Sequence, residues 1–271
     1  MKRDERASLI ERETLSADAF LLHFESETLA KTFRPGQFTM VRVPDRADLL
    51  LRRPYSFCDS GADGSQFSLL VKVAGKGTLA LAELPIGAAV DCLGPLGSAF
   101  RFPSAARKPV IVAGGVGIAP FVGFCRALMH RGTTATVLLG GRSARDLYLR
   151  SEFEAFGMEV RTSTEDGSHG HRGLVTALLA EVLESREPSE LYSCGPTPML
   201  LKVAAMGRER NVPHQVSLER RMGCGMGCCL GCVVYTRTSS SETGGEYLRS
   251  CTEGPVFDAE AVCWERDPYP L

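Results

Sequence analysis

Cys224, Cys229 and Cys232 stand in C-x4-C-x2-C spacing within Cys224-Gly225-Met226-Gly227-Cys228-Cys229-Leu230-Gly231-Cys232, and Cys251 follows downstream. Few structures accommodate so many thiols in one glycine-rich loop. Four thiolates at this spacing match the ligand pattern of a plant-type [2Fe–2S] cluster. A loop that wraps a cluster brings its backbone close to the sulfides and visits positive φ, which glycine does at least cost. The N–H groups freed in this way can donate to the sulfurs. A zinc knot or a run of ordinary buried thiols would also use cysteine, but zinc sites more often pair C-x2-C modules. Two ligand positions stay open: Cys228 adjoins Cys229 and could substitute for it, and Cys263 could replace Cys251. Cys251 is preferred because Arg249-Ser250-Cys251-Thr252-Glu253-Gly254-Pro255 is turn-rich and follows an expected hairpin at Gly244-Gly245.

The 271 residues allow two domains with a small third. A formal net charge of −1 argues against nucleic-acid binding. The five cysteines outside the cluster segment (Cys58, Cys92, Cys125, Cys194, Cys263) are scattered, as in a reducing compartment. The mixed-charge start Met1-Lys2-Arg3-Asp4-Glu5-Arg6 lacks the apolar core of a signal peptide. Residues 110–125 are nearly all apolar, yet glycines and Pro120 interrupt them, and they fall short of the roughly 20 residues a membrane span needs. A cytoplasmic protein without membrane attachment is the expectation.

The first hundred or so residues carry short strand-like runs at 19–24, 37–43 and 66–73, with turn signals at Pro35-Gly36, Asp63-Gly64 and Pro85-Ile86-Gly87. This texture predicts an antiparallel β-barrel. From about residue 106 strands and helices alternate. Strands are expected at 109–113, 136–139, 158–161 and 191–193, and helices at 119–131, 174–185 and 197–210, the pattern of a parallel sheet covered by helices. The last 55 or so residues return to glycine, cysteine and short β runs, with a polar patch at 238–245 expected to be a loop tip. The expected domains are 1–104, 105–212 and 213–271.

Three constellations suggest ligands. Gly114-Gly115-Val116-Gly117-Ile118-Ala119-Pro120 follows an expected strand and opens an expected helix, whose N-terminus would supply N–H donors to a phosphate. Pro120 suits the first turn of that helix. Cys194-Gly195-Pro196 ends a later strand of the same sheet, and ligands of open parallel sheets bind beyond the carboxyl ends of the strands, so both loops should face one cleft. In the β region, Arg53-Pro54-Tyr55-Ser56 offers a phosphate clamp, a stacking ring and a hydroxyl, with Arg53 and Tyr55 on one strand face. Gly75-Lys76-Gly77-Thr78 precedes another helix-like stretch. Each is a weak signal alone.

Together with Gly94-Pro95-Leu96-Gly97, the order of these motifs resembles the ferredoxin–NADP reductase superfamily, which pairs an FAD-binding barrel with an NAD(P)-binding α/β domain. With the terminal cysteine segment, essentially the whole chain resembles the electron-transfer subunits of bacterial NAD-dependent dihydroorotate dehydrogenases. The resemblance implies a flavoprotein iron–sulfur oxidoreductase subunit with FAD contacts at Arg53, Pro54, Tyr55, Ser56, Leu70, Val71, Lys72, Gly77 and Thr78. It implies NAD(H) contacts at Gly114, Gly115, Gly117, Cys194, Gly195 and Pro196, and cluster ligands at Cys224, Cys229, Cys232 and Cys251. It also implies an FMN-bearing dihydroorotate dehydrogenase catalytic subunit as partner, in a heterotetramer of two of each, serving pyrimidine synthesis. The extra thiol Cys228 stands where the family usually has a small non-ligand residue.

A flavin between NADH and the cluster has chemical logic, since a hydride carries two electrons and a [2Fe–2S] cluster accepts one. Hydride transfer requires no side-chain acid or base, so no catalytic residue is expected. Related ferredoxin–NADP or sulfide oxidoreductase subunits share the three parts but carry aspartate at the first ligand position, where this chain has Cys224. A nucleotide-binding redox sensor is the alternative from another class. Arg142 and Arg145 could hold a 2′-phosphate, which leaves NADH against NADPH to the resemblance, and that favours NADH. His169 and His171 are expected as solvated loop histidines, Glu219-Arg220-Arg221 as a docking patch or a solvated strand end, and Trp264 as packing.

Overall fold

The computed structural model describes residues 3–44, 46, 48–61, 63–103, 108–185, 188–237 and 244–266. The expected domain boundary at 104/105, residues 1–2 and positions 238–243 of the polar patch lie outside the described residues.

Six antiparallel strands close a barrel: β1 (Arg3–Ser16), β2 (Ala19–Glu25), β3 (Phe38–Arg42), β4 (Arg53–Ser60), β5 (Gln66–Lys72) and β6 (Ala89–Leu96), in the order β1-β2-β5-β4-β3-β6. Alternate side chains point inward, so Leu22, Phe24, Val41, Phe57, Phe67, Leu69, Val71 and Val90 fill the interior. Two short helices, α1 (Glu27–Thr32) and α2 (Lys76–Ala82), sit in its connections. β1 carries little apolar alternation of its own. Only Ala7 and Leu9 are buried along it, while Asp4 and Glu11 face water. Its strand character comes from hydrogen bonding to both β2 and β6, which closes the barrel.

The second layer runs β7 (Val110–Gly114), α3 (Phe121–His130), β8 (Thr136–Gly141), α4 (Arg150–Ala155), β9 (Glu159–Thr164), β10 (His171–Arg172), α5 (Val175–Ser185), β11 (Leu191–Cys194), α6 (Thr197–Glu209) and β12 (His214–Ser217). A hairpin of β13 (Val233–Arg237) and β14 (Gly245–Arg249) follows, then β15 (Val256–Asp258). The large sheet has seven strands in the order β10-β9-β8-β7-β11-β12-β15, parallel except for β15. Its last two strands therefore come from the segment expected to form the cluster domain, because Val216, Leu218 and Phe257 bury themselves with Leu200 of α6 and Val234 of the hairpin. The expected helix at 119 also starts late. Gly115–Ile118 forms a 3₁₀ turn, and Pro120 caps α3 at φ −68°.

Barrel and sheet share one apolar core. Ala19, Leu21, Cys58 and Leu70 from the barrel pack with Ile111, Phe121, Phe124 and Tyr192. Ion pairs flank this contact, Asp59 with Arg126 and Lys72 with Asp146. The connecting chain is clamped as well: Gln215 Nε2 donates to the Arg101 carbonyl at 3.0 Å and to Glu190 at 2.6 Å, and Tyr192 Oη lies 2.9 and 2.8 Å from the same two groups, with its one proton to share. Among the described residues no helix is long and apolar enough to cross a membrane.

Candidate functional site

β7 and β11 are adjacent parallel strands, with Cys194 in register with Ala113, so both glycine loops leave the sheet at the same edge. Strand order reverses between these two strands, the position where open α/β sheets bind ligands. The loops touch through their backbones. A side chain at Gly117 would strike the Cys194 carbonyl, one at Gly114 would meet Pro196 Cδ at 2.8 Å, and one at Gly195 would meet the Gly114 nitrogen at 2.9 Å. Gly115, at φ +53°, turns the chain where a side chain would be strained. Burial, then the charge of Glu219, pushes the Cys194 thiol up to about 12, so it is a neutral wall and not a nucleophile. Arg142 and Arg145 are exposed after β8, and Asp146 beside them pairs with Lys72 of the barrel at 2.8 Å.

On the barrel, Arg53 and Tyr55 start β4. The Arg53 side chain lies across Gly77, where any side chain would collide with its Nε, Cζ and Cδ. Two motifs 24 positions apart (77 − 53) thus form one cationic cradle. Thr78 closes the turn, its Oγ1 accepting from the Ala74 and Gly75 N–H groups at 2.8 and 3.0 Å. Among the described residues the buried Tyr55 hydroxyl has no hydrogen-bond partner, and burial raises it to about 12 despite nearby Arg53. A cation over a glycine turn and an unpaired phenol beside it fit a dinucleotide with a diphosphate and polar ring edges. Of the other expected contacts, Val71 points into the barrel, Leu70 joins the shared core and Lys72 is engaged by Asp146. Val71 can therefore meet a ligand only through its backbone.

The cysteine loop packs against the same barrel. Cys232 and Cys251 are buried with Phe38 and Met40 of β3 and Leu96 of β6, and a side chain at Gly225 (φ +72°) would collide with Met40. Gly97 of the Gly94-Pro95-Leu96-Gly97 motif faces Pro255, and Ser98 Oγ donates to the Val256 carbonyl at 3.0 Å, which fixes the Cys251 turn. Burial works to raise Cys224, but N–H groups of Met226 and Cys229 and the Cys229 and Cys228 thiols outweigh it and bring it down to about 6. Cys251 goes up to about 12 through burial and its contact with Cys232, with Cys224 nearby and the Gly227 N–H aimed at it. Cys224, Cys228, Cys229, Cys232 and Cys251 are therefore brought together. Cys263 stands apart, its Sγ 3.5 Å from Glu265. Among the described residues no three His, Cys, Asp or Glu side chains are arranged to hold a single metal ion. Five thiols around a loop of positive-φ glycines fit a polynuclear centre by donor chemistry.

The remaining expectations divide. Arg220 is buried between exposed Glu219 and Arg221, which makes it neither a solvated strand end nor a free docking charge. His169 is exposed but hydrogen-bonded to Thr162 and Arg150 at 2.9 and 2.7 Å, and His171 belongs to the edge strand β10. Trp264 packs with the β12–β15 core and donates to the Ala259 carbonyl at 3.2 Å. Sequence reasoning passed over Asp146 and the Arg249–Glu253 pair, although the latter lay in the quoted Cys251 turn.

Family models match in three consecutive stretches: an oxidoreductase FAD-binding domain over residues 6–101, an oxidoreductase NAD-binding domain over 111–205, and the iron–sulfur cluster binding domain of dihydroorotate dehydrogenase B over 219–263. The dihydroorotate dehydrogenase B (NAD(+)) electron transfer subunit of Shouchella clausii (strain KSM-K16) is 38% identical over 96% of this chain and 98% of its own length. The chain belongs to this family of electron-transfer subunits. The Bacillus caldolyticus subunit is likewise 38% identical, over 95% of this chain and 98% of its own. A solved chain of NADH-dependent reduced ferredoxin–NADP oxidoreductase, described for flavin-based electron bifurcation, superposes with a TM-score of 0.85 at 30% identity, covering 96% of this chain and 90% of that one. The family's FAD-binding, NAD-binding and iron–sulfur parts thus correspond to the barrel, the parallel sheet and the cysteine loop.

Proposed function

We propose that this electron-transfer subunit exchanges hydride with NAD(H) at the cleft beside Gly114–Gly117 and Cys194-Gly195-Pro196 and passes single electrons to or from a partner through thiolates of Cys224, Cys229, Cys232 and Cys251. The electron-exchange partner is an FMN-bearing dihydroorotate dehydrogenase catalytic subunit, in a cytoplasmic complex of two of each chain serving pyrimidine synthesis. The observation that carries this reading is the position of β3. It pairs with β4, whose Arg53-Pro54-Tyr55-Ser56 faces the cradle, and through Phe38 and Met40 it touches Cys232 and Cys251. Neighbouring strands lie about 4.8 Å apart, so one strand separates the two sites. A flavin held at the cradle supplies the conversion from a two-electron donor to a one-electron carrier.

The chain's own residues bind and orient. Arg53 clamps the diphosphate over Gly77, Tyr55 offers its ring and hydroxyl to the flavin, and the paired glycine loops let the nicotinamide dinucleotide approach the backbone. Neutral, half-buried Cys194 keeps charge away from the path of the hydride. We further propose functional units at 1–104, 105–212 and 213–271. Exposed Met226 and Leu230 flank the exposed thiols Cys228 and Cys229 in the chain, exposed Tyr247 lines a hollow with Leu230, and this face suits the partner's docking.

The test is an anaerobic NADH titration of the purified chain followed in the visible range. Uptake of about three electrons per chain, two by FAD and one by the cluster, supports the path. NADH binding without flavin bleaching would mean a sensor instead. Adding the catalytic subunit with dihydroorotate should reduce both centres, whereas reduction only by ferredoxin and NADPH would move the chain to the bifurcating relatives.

A further inference from the structure

The turn that delivers Cys251 is closed by one ion pair. Arg249 Nη2 donates to Glu253 Oε1 at 2.6 Å, Nε donates to Oε2 at 3.1 Å, and the Arg249 backbone N–H reaches Oε2 at 2.7 Å. The remaining guanidinium nitrogen, Nη1, donates to the Gly227 carbonyl at 3.4 Å, inside the cysteine loop. One side chain therefore joins the two segments that bring thiols to the site, and Cys251 and Cys232 both lie within its electrostatic reach. Three side-chain contacts, two of them a bidentate grip on Glu253, fix where this cation stands.

Stability alone is a poor explanation for the arrangement. The two side chains are 39% and 31% exposed, and ion pairs at such exposure contribute roughly 0–1 kcal/mol. The field at the thiols is a better one. Adding one electron to a cluster adds one negative charge beside the guanidinium, and net charge close to a cluster is one of the factors that set its potential.

We propose that Arg249, held in place by Glu253, is a positioning residue that raises the reduction potential of the cluster, and that Glu253 sets how much of that charge is felt. The inference rests on the [2Fe–2S] reading above. The two partners act with opposite sign: the cation favours the reduced state, and the carboxylate offsets the cation. No proton moves and no bond is made or broken.

The experiment is a redox titration of the full chain followed by electron paramagnetic resonance, with iron and acid-labile sulfide measured on each sample. Unmodified protein, Arg249→Lys, Arg249→Met and Glu253→Gln are compared. Arg249→Met should lower the midpoint, because the cation leaves while the carboxylate stays. Glu253→Gln should raise it, and Arg249→Lys should lie nearer the unmodified chain than Arg249→Met does. A merely structural pair would shift both midpoints the same way, or not at all, and either result overturns the proposal. If Arg249→Met fails to hold iron, Glu253→Gln decides: a higher midpoint supports the proposal, and an unchanged or lower one overturns it. Loss of iron from both variants makes the role structural and also overturns it. An unmodified chain with no cluster signal would remove the cluster reading together with this inference, whereas a normal signal indifferent to both charges sinks the inference alone.

Discussion

In the sheet, all five residues of β7 are buried, and β7, β8 and β11 are positioned by apolar contacts on both faces; in the cysteine loop only Cys232 and Cys251 of five thiols are buried, and Cys228 and Cys229 are exposed. The first region holds its shape by removing apolar surface from water. The second holds its thiols by glycine turns, the Arg249–Glu253 clamp and a narrow contact with Met40 and Leu96. A region of the first kind loses stability when its packing is cut. A region of the second kind should lose its ligand while the rest of the molecule stands.

Cys232→Ser breaks the comparison most severely. The buried Cys232 thiol packs on β3, and its replacement should remove nearly all iron from the purified chain. FAD content should stay within experimental scatter of the unmodified protein, because Arg53 of β4 and Gly77 of α2 lie outside the cysteine loop. Parallel iron and flavin assays read this directly. If flavin falls in step with iron, the two regions are not separable.

Phe124→Ala tests the other half. Phe124 is fully buried and stacks on Phe102 at 5.0 Å between centroids, in the core shared by barrel and sheet. Truncation should cost about 3–5 kcal/mol, measured as a shift of the urea midpoint at constant slope. Barrel and sheet should unfold together. Two separate transitions would show that the shared core does not couple them.

The same contrast explains what was legible from sequence. Contiguous motifs such as Gly114-Gly115-Val116-Gly117 and the cysteine spacing announced themselves, because the chemistry they serve needs neighbours in sequence. β7 and β8 were legible because both faces are covered and the strands read as apolar runs. β1 was not, since its hydrogen bonds to β2 and β6 exist only once the barrel closes. β15 was hidden for the same reason: three residues become a strand through Gln215, Val216 and Ser217. The Arg53–Gly77 cradle and the Arg249–Gly227 contact each join segments that no local pattern relates. Residue identity points to the candidate ligands, and closure of the fold supplies their supports.

Acid separates the regions by a smaller amount. His214, in β12, is held neutral by burial, which takes it from 6.5 to about 3, while its Nε2 shares a 2.7 Å hydrogen bond with Ser193 Oγ. Between those values the unfolded chain binds a proton that the folded chain refuses, so this stability is complete above pH 6.5 and is lost as pH falls toward 3. In the cysteine segment Glu253 is held down to about 2 from 4.5, mainly by Arg249, so its contribution is intact above pH 4.5 and lost only below. Acidification should therefore weaken the sheet first, by about 2 kcal/mol between pH 6.5 and 5. His214→Gln should flatten that limb of a stability–pH curve and leave the limb below pH 4.5. An unchanged limb would mean that another group titrates there.

Gly77→Ala sharpens the comparison at the lowest energy. The side chain added at position 77 meets only the far end of Arg53, which can swing away, and the backbone there needs no positive φ. Alanine also favours the first turn of α2 over glycine by up to about 1 kcal/mol. Thermal stability of the flavin-free chain should hold or rise slightly. The displaced guanidinium would no longer lie over the turn, so FAD affinity should fall about tenfold, about 1.4 kcal/mol, with iron content unchanged. Titration of flavin-stripped protein by fluorescence quenching measures it. Unaltered affinity would mean that Arg53 binds the diphosphate from another position, and the cradle would then be a packing contact rather than part of the flavin site.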